Sequence, residues 1–448
     1  MTKLHRKKDI KLLQEKLNDI IVKAKKKEVD ILEPTLKEYK YIMNYLEEFI
    51  KRKNRIIYGG WAWHNLLILK NKNEHIYHKD RISYPDIEFY SPDPIGDLIE
   101  ICNYLYDKKC KFVQGHEGEH HETYKLFVNF INLCDISYVP KIIMNKLPYI
   151  KINNIQFIHP KFITIDILRM YTDPLTSYWR IKKNLLRANK LLSYWPLKIQ
   201  AKFQTYSINK ETNKVLDFIR KNILPNNEHI VFGYYAYEYY KNIDQKDNNL
   251  FIPYYDIISY NLKDNCLKIK NLLSKFNIVI EEYHPFFQFM DQRVSFKFNG
   301  KIVLNVYGNN SKCTPYKIIK SKNINICSFQ FLLMTLLIIH FYHKFYNNRN
   351  EFNNMDFMLK NIINIRNKYL KNKNKTIIDD TPYQDFIIQC KGSYINSHRE
   401  WQIGIKKKIK QKKRIKFIYD PSRKKLTEYK YNFKNSSGRI NTSNYKLI

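Results

Sequence analysis

A short motif near residue 60 returns in altered form past residue 230, and this repeat limits the possible folds more than any other feature of the chain. "IYGGWAW" (57–63) resembles "VFGYYAY" (231–237), with Gly59 facing Gly233 and Ala62 facing Ala236. "YPDIEFYS" (84–91) resembles "YYDIISYN" (254–261), with four of eight positions identical. "NLCDISY" (132–138) then faces "IVLNVYG" (302–308), and Asp86 to Asp135 spans the same 49 positions as Asp256 to Asn305. Self-similarity at this scale predicts one supersecondary unit used twice. In the first copy "RIIYGG", "PDIEFYS", "YKLFVNF" and "LCDISYV" read as strands around a helix over 94–106. A second mixed stretch runs from about 228 to 320.

The differences between the copies carry the chemistry. On this alignment Asp86, Glu88 and Asp135 become Asp256, Ile258 and Asn305, while Gly59-Gly60 becomes Gly233-Tyr234. Two of three carboxylates and one glycine are lost together, as expected of a site that one copy can do without. Asp86 and Glu88, two apart on a strand, share a face about 6–7 Å from each other, where like charges repel. A solvent-facing edge is the bland reading of an isolated D-x-E, and a tight turn is that of a Gly-Gly pair. Taken together they say more. A glycine pair before a helix start lets backbone N–H groups approach a phosphate. Two carboxylates on one strand and a third on its neighbour supply hard oxygen ligands for divalent ions. That set predicts a two-metal phosphoryl-transfer site.

The combination of G-G, D-h-E and a later lone Asp resembles the polymerase-β-like nucleotidyltransferases. Within them, the doublet followed by W-A, "CDISYVP" (134–140) and "DPLTSYWRIKK" (173–183) resemble the poly(A) polymerase catalytic subunits of large cytoplasmic DNA viruses, namely the poxviral, mimivirus-like and African swine fever virus-like enzymes, with relatives on yeast linear plasmids. The resemblance covers roughly 50–345. It implies an α+β fold of tandem nucleotidyltransferase domains, one catalytic and one degenerate, with N-terminal helices and a helical C-terminal block. It implies an RNA 3′-end nucleotidyltransferase, most simply a template-independent poly(A) polymerase adding AMP from ATP with two Mg²⁺ or Mn²⁺ ions. Asp86, Glu88 and Asp135 would be metal ligands and catalytic residues. Gly59 and Gly60, and then Arg180, Lys183 and Arg187 on one helix face, would hold the nucleotide. Two departures stand out: Asp86 follows Gly60 by 26 positions, so 71–83 reads as an insertion, and the second acid is Glu88 where Asp is usual. A tRNA-directed nucleotidyltransferase or plasmid immunity factor shares the chemistry, and a non-catalytic RNA-binding protein shares the fold. The resemblance leaves open a homodimer or a processivity or cap-modifying partner, and implies a cytoplasmic setting.

The expected organisation is a basic helical segment at 1–55, a catalytic domain at 56–200, a degenerate domain at 201–323, a helical segment at 324–400 and a basic tail at 401–448. The formal net charge of +36 suits a polyanionic partner. Abundant Lys, Asn, Ile and Tyr also suggest an AT-rich coding sequence, which lowers the weight of that charge. The tail run "IKKKIKQKKRIKF" (405–417) has eight basic residues in thirteen. Lys406, Lys407, Lys408, Lys410, Lys412, Lys413 and Arg414 are its candidate RNA contacts, with Tyr429, Tyr431 and Phe433 as candidate stacking groups. A solvated helix face or a targeting run is the alternative. Seven scattered cysteines without a CxxC pair predict reduced thiols and no cysteine zinc site. "GHEGEHHE" (115–122) contains a formal HExxH, but its glycines predict a polar loop rather than the helix a zinc site needs. "ICSFQFLLMTLLIIHFY" (326–342) reads as a buried core helix, and no membrane span is expected.

Overall fold

Two sheets of eight strands carry the fold, wound in the same order. The computed structural model describes all residues except 1–4, 32–34, 75, 78–84, 121, 197–201, 245–250, 287–289, 310–312, 393–396, 412–416 and 424–448. The strands are β1 (Ile56–Tyr58), β2 (Ile87–Ser91), β3 (Gln114–Glu117), β4 (Thr123–Val128), β5 (Ile131–Tyr138), β6 (Tyr149–Ile152) and β7 (Ile155–Ile158). After them come β8 (His229–Phe232), β9 (Tyr255–Ser259), β10 (Ile278–Tyr283), β11 (Arg293–Phe298), β12 (Lys301–Gly308), β13 (Cys313–Ile319), β14 (Ile324–Cys327), β15 (Cys390–Gly392) and β16 (Ile418–Tyr419). The first sheet runs β16-β3-β4-β5-β2-β1-β7-β6 and the second β10-β11-β12-β9-β8-β14-β13-β15. Without the added edge strands β16 and β15, the two orders coincide. Polarity coincides too: β2–β5 and β1–β7 are parallel, as are β9–β12 and β8–β14, and the remaining common pairs are antiparallel. The duplication expected from the sequence is therefore a duplication of a whole sheet.

Register corrects the internal alignment by two residues. Tyr58 pairs with Glu88 and Phe232 with Asp256, while Glu88 neighbours Asp135 and Asp256 neighbours Asn305. Asp256 thus stands where Glu88 stands, and Tyr254 falls at the place of Asp86. A matching contact fixes this register: Ser91 Oγ lies 2.6 Å from Asp97, and Ser259 Oγ lies 2.7 Å from Asn265. A slip of two keeps every side chain on the same strand face, so the misalignment is invisible to alternation. The second copy still lacks two of the three carboxylates, now as Tyr254 and Asn305.

Of the described residues, those within Met1–Tyr138, Pro148–His159 and Trp401–Tyr431 form one compact unit. Those within Val139–Leu147, Pro160–Glu400 and Asn432–Ile448 form the other. These bounds differ from the expected division at 200. The helix Pro160–Tyr171 belongs with the second unit because it packs on the helix Phe329–Phe345: Phe162 meets Phe341 at 5.3 Å, and Lys161 Nζ reaches Asp356 Oδ1 on the helix Arg349–Asn372 at 2.8 Å. Residues 418–419 return to the first unit as β16.

Local chemistry explains most elements. Thr35 and Glu38 form a capping box at the start of the helix Leu36–Arg52. The β6–β7 hairpin turns through Asn153 and Asn154 at φ 49° and 65°, the left-handed pair of a type I′ two-residue turn. The helix Phe329–Phe345 is buried on nearly all sides, as expected, but residues 324–327 ahead of it form β14 rather than helix. No helix among the described residues is long and apolar enough to cross a membrane. The HExxH segment is likewise not helical, though it is not all loop as expected: 115–117 lie in β3, and 118–120 leave it as an irregular bend. One cysteine expectation is overturned. Cys313 and Cys390 form a disulfide, because the β13–β15 pairing brings their Cα atoms to 5.4 Å, while Cys102, Cys110, Cys134, Cys266 and Cys327 are free.

Candidate active site

The site is built where β1 ends. Gly59 opens the helix Gly59–Lys70 with φ 65°, and a Cβ there would fall 1.6 Å from Glu88 Oε2. Only glycine allows both the turn and this approach. The next amide, Gly60 N–H, donates to Glu88 Oε2 at 2.8 Å. A backbone group expected to face phosphate thus holds a carboxylate here.

Glu88 and Asp135 are neighbours across the parallel pair β2–β5, and Asp86 immediately precedes β2. Burial and the adjacent charge of Asp86 push the Glu88 carboxyl up to about 7, against the pull of the Gly60 N–H. The sequence reading missed the groups that answer this charge. Lys125, opposite Asp135 on β4, places Nζ 2.8 and 2.6 Å from the two Asp135 oxygens. Asn132 Nδ2 donates to Asp135 Oδ1 at 2.9 Å. In the second copy the corresponding chain contains no ammonium group. Ser295 takes the place of Lys125, its Oγ 2.6 Å from Asn305 Oδ1, and Asn305 Nδ2 donates to Asp256 Oδ1 at 2.9 Å.

As the side chains stand, no group of three His, Cys, Asp or Glu among the described residues is gathered to hold a metal. The donor set nonetheless fits a hard divalent cation: all three groups are carboxylates, one is strained toward protonation, and an ammonium group already sits as a cation on another. Arg180, Lys183 and Arg187 lie on the helix Pro174–Tyr194 of the second unit, the first two exposed and the third half-buried. Lys406, Lys407 and Lys410 are exposed on the helix Ser397–Lys410, and Lys408 Nζ lies 3.9 Å from Glu117. Lys412, Lys413, Arg414, Tyr429, Tyr431 and Phe433 fall outside the described residues.

Residues 44–177 match the family model described as poly(A) polymerase catalytic subunit, and residues 189–448 match that of the C-terminal part of the mimivirus counterpart. A protein of Acanthamoeba polyphaga mimivirus, named for a poly(A) polymerase catalytic subunit, is 31% identical over 98% of this chain and 84% of its own length. The chain belongs to the poly(A) polymerase catalytic subunit family. A similarly named protein of African swine fever virus (strain Badajoz 1971 Vero-adapted) is 29% identical over 36% of this chain and 34% of its own. The crystal structure of the Megavirus polyadenylate synthase superposes with a TM-score of 0.90 at 31% identity, covering 99% of this chain and 94% of that one. The tandem nucleotidyltransferase fold and poly(A) polymerase function follow, and the chain is a nucleotidyltransferase enzyme.

Proposed function

We propose that the first copy performs template-independent addition of AMP from ATP to an RNA 3′ end. In that reaction the 3′-hydroxyl oxygen bonds to the α-phosphorus, the bond to the bridging oxygen breaks, and pyrophosphate leaves. Asp86, Glu88 and Asp135 would hold two divalent ions, Mg²⁺ or Mn²⁺. When bound, such ions lower the pKa of an attacking hydroxyl and neutralise triphosphate charge. The rest is the work of the chain. Gly59 sets the approach of Glu88 to the helix start, and Gly60 N–H orients that carboxylate. Asn132 fixes Asp135, and Lys125 must release it before the oxygens can serve another cation.

The observation that carries this reading is the Glu88–Asp135 pair on adjacent parallel strands, beside the Gly59–Gly60 turn, in one copy and not the other. The test is extension of a labelled oligonucleotide, with tRNA in parallel and each NTP offered alone. Asp86→Asn and Asp135→Asn should each abolish divalent-dependent extension while leaving RNA binding largely intact. Near-normal turnover in a folded Asp135→Asn protein would remove the assignment, and preference for tRNA would favour the tRNA-directed reading.

A further inference from the structure

The second copy is not merely an emptied version of the first. A cavity of about 350 Å³ opens within the second unit, over the strand ends of its own sheet that are equivalent to those carrying the carboxylates in the first. Tyr254 and Asn305, at the places of Asp86 and Asp135, both line it. Asp86 and Asp135 are replaced there by a tyrosine and a neutral amide, and two residues along β11 from the place of Lys125, where the first copy has Thr123, stands Arg293.

Arg293 is the informative wall. It is 7% exposed, and its Nε has no hydrogen-bond partner. Its Nη2 donates to the Tyr342 hydroxyl at 3.1 Å, and its guanidinium carbon lies 4.0 Å from the Tyr283 ring and 5.1 Å from that of Tyr342. No carboxylate forms an ion pair with it among the described residues. A buried cation whose contacts are rings and hydroxyls, and which feels the Asp256 carboxyl without pairing to it, retains a donor for an anion. Lys301 stands exposed at the same cavity without an acidic partner among the described residues, whereas Lys297 is tied to Glu281 at 2.7 Å. The acid that lines the cavity, Glu351, is already satisfied by the Tyr234 and Tyr254 hydroxyls at 2.9 and 3.1 Å. His343, driven neutral by burial and by Arg293, offers one donor and one acceptor. Tyr206, 44% exposed, adds an accessible ring.

We propose that this cavity binds one nucleotide unit, its base against the tyrosine rings and its phosphate on Arg293 and Lys301. The volume lies near the floor of the roughly 300–1,000 Å³ typical of small-ligand sites, which suits a single nucleotide. Tyrosine faces stack on any base, and cations beside them take the phosphate. The unit can come from a free nucleotide or from a residue of bound RNA, and the chemistry is shared. The site is lined by residues of the second unit alone, and the proposal survives or fails independently of the role of the first copy's carboxylates.

The experiment is photolabelling of the full chain in EDTA, which removes metal-dependent binding at the first copy. One arm uses 8-azido-AMP; the other uses oligo(A) carrying one 8-azidoadenosine. Peptides containing Tyr206 or Tyr342 should carry the label. Competition by AMP in the first arm identifies a free-nucleotide site. Label in the oligonucleotide arm alone identifies an RNA-residue site. Tyr206→Ala combined with Lys301→Ala should weaken labelling at least tenfold, and Asp135→Asn should leave it unchanged. Both substituted side chains are exposed; if the double variant nevertheless melts early, Lys301→Glu alone reports the same loss. Absence of label from cavity peptides in both arms, or label indifferent to these substitutions in folded protein, overturns the proposal.

Discussion

At the scale of single residues, two groups that differ between the copies give separable predictions. Lys125 is 27% and Asp135 13% exposed, so their pair is shielded from water without being deeply buried. Removing one partner of a fully buried pair costs about 3–5 kcal/mol, and Lys125→Met should cost somewhat less, about 2–3 kcal/mol, in metal-free protein. Added Mg²⁺ should recover much of that loss, so the melting temperature should rise more with Mg²⁺ in the variant than in the parent. An equal rise in both would mean that Lys125 does not stand in for a cation. Asp256 gives the second prediction. Burial pushes its carboxyl up to about 7, opposed by Asn305, Arg293 and Tyr307 and reinforced by Glu351. The folded state therefore holds the proton more tightly than the unfolded state. Its contribution to stability is greatest below pH 4 and is lost as pH rises from about 4 to 7. Asp256→Asn should flatten stability over that window and raise it at pH 8 by up to about 4 kcal/mol. Extension activity should be nearly unchanged; a loss matching that of Asp135→Asn would show that the catalytic copy is wrongly assigned.

Elements show which parts of this arrangement can be read from residue order. The Gly59 turn is legible because its φ of 65° and the nearness of Glu88 each demand glycine. Gly59→Ala should therefore abolish extension, and should destabilise far more than Gly300→Ala. Gly300 has φ 74° but nothing within 4 Å of an added Cβ, so only the backbone penalty of about 1 kcal/mol applies there. Melting of the two variants side by side checks this, and equal losses would mean that the Glu88 approach relaxes freely. Lys125 is illegible for the opposite reason: one lysine among 78 basic residues becomes significant only once β4 is set against β5. That pairing contains a register shift between Leu126 and Phe127, which residue order alone does not locate. Strand alternation likewise hides the two-residue offset between Asp86 and Asp256, because both registers put the acid on the same face. The two-residue strand β16 is too short to carry any periodic signal.

Across the whole molecule, charge and connectivity meet in the described residues past 400. Lys406, Lys407 and Lys410 are exposed and lie outside β16, so replacing all three by Gln leaves the residues of that strand unaltered. If they hold RNA phosphates, the slope of log affinity against log salt for single-stranded RNA should flatten by about 0.7 for each, or roughly 2 in all. Tails made per binding event should shorten, while addition of the first nucleotide at saturating RNA should hardly change. An unaltered slope and tail length would leave the run a solvated face. Removing the tail at residue 404 instead would confound this test, because Ile418 pairs with His116, Phe417 N–H donates to Glu117 at 3.2 Å, and the Phe417 ring meets Tyr124 edge-on at 5.8 Å. An uncovered edge strand invites pairing with another chain. The same connectivity sets a timetable for the ribosome. β3 is made early, but its outer partner lies some 300 positions later, which at about 5–20 residues per second is a wait of roughly 15–60 s. During that interval the nascent first sheet carries an open edge, so each molecule passes through a window of vulnerability in which neighbouring polysomes or a chaperone decide its fate.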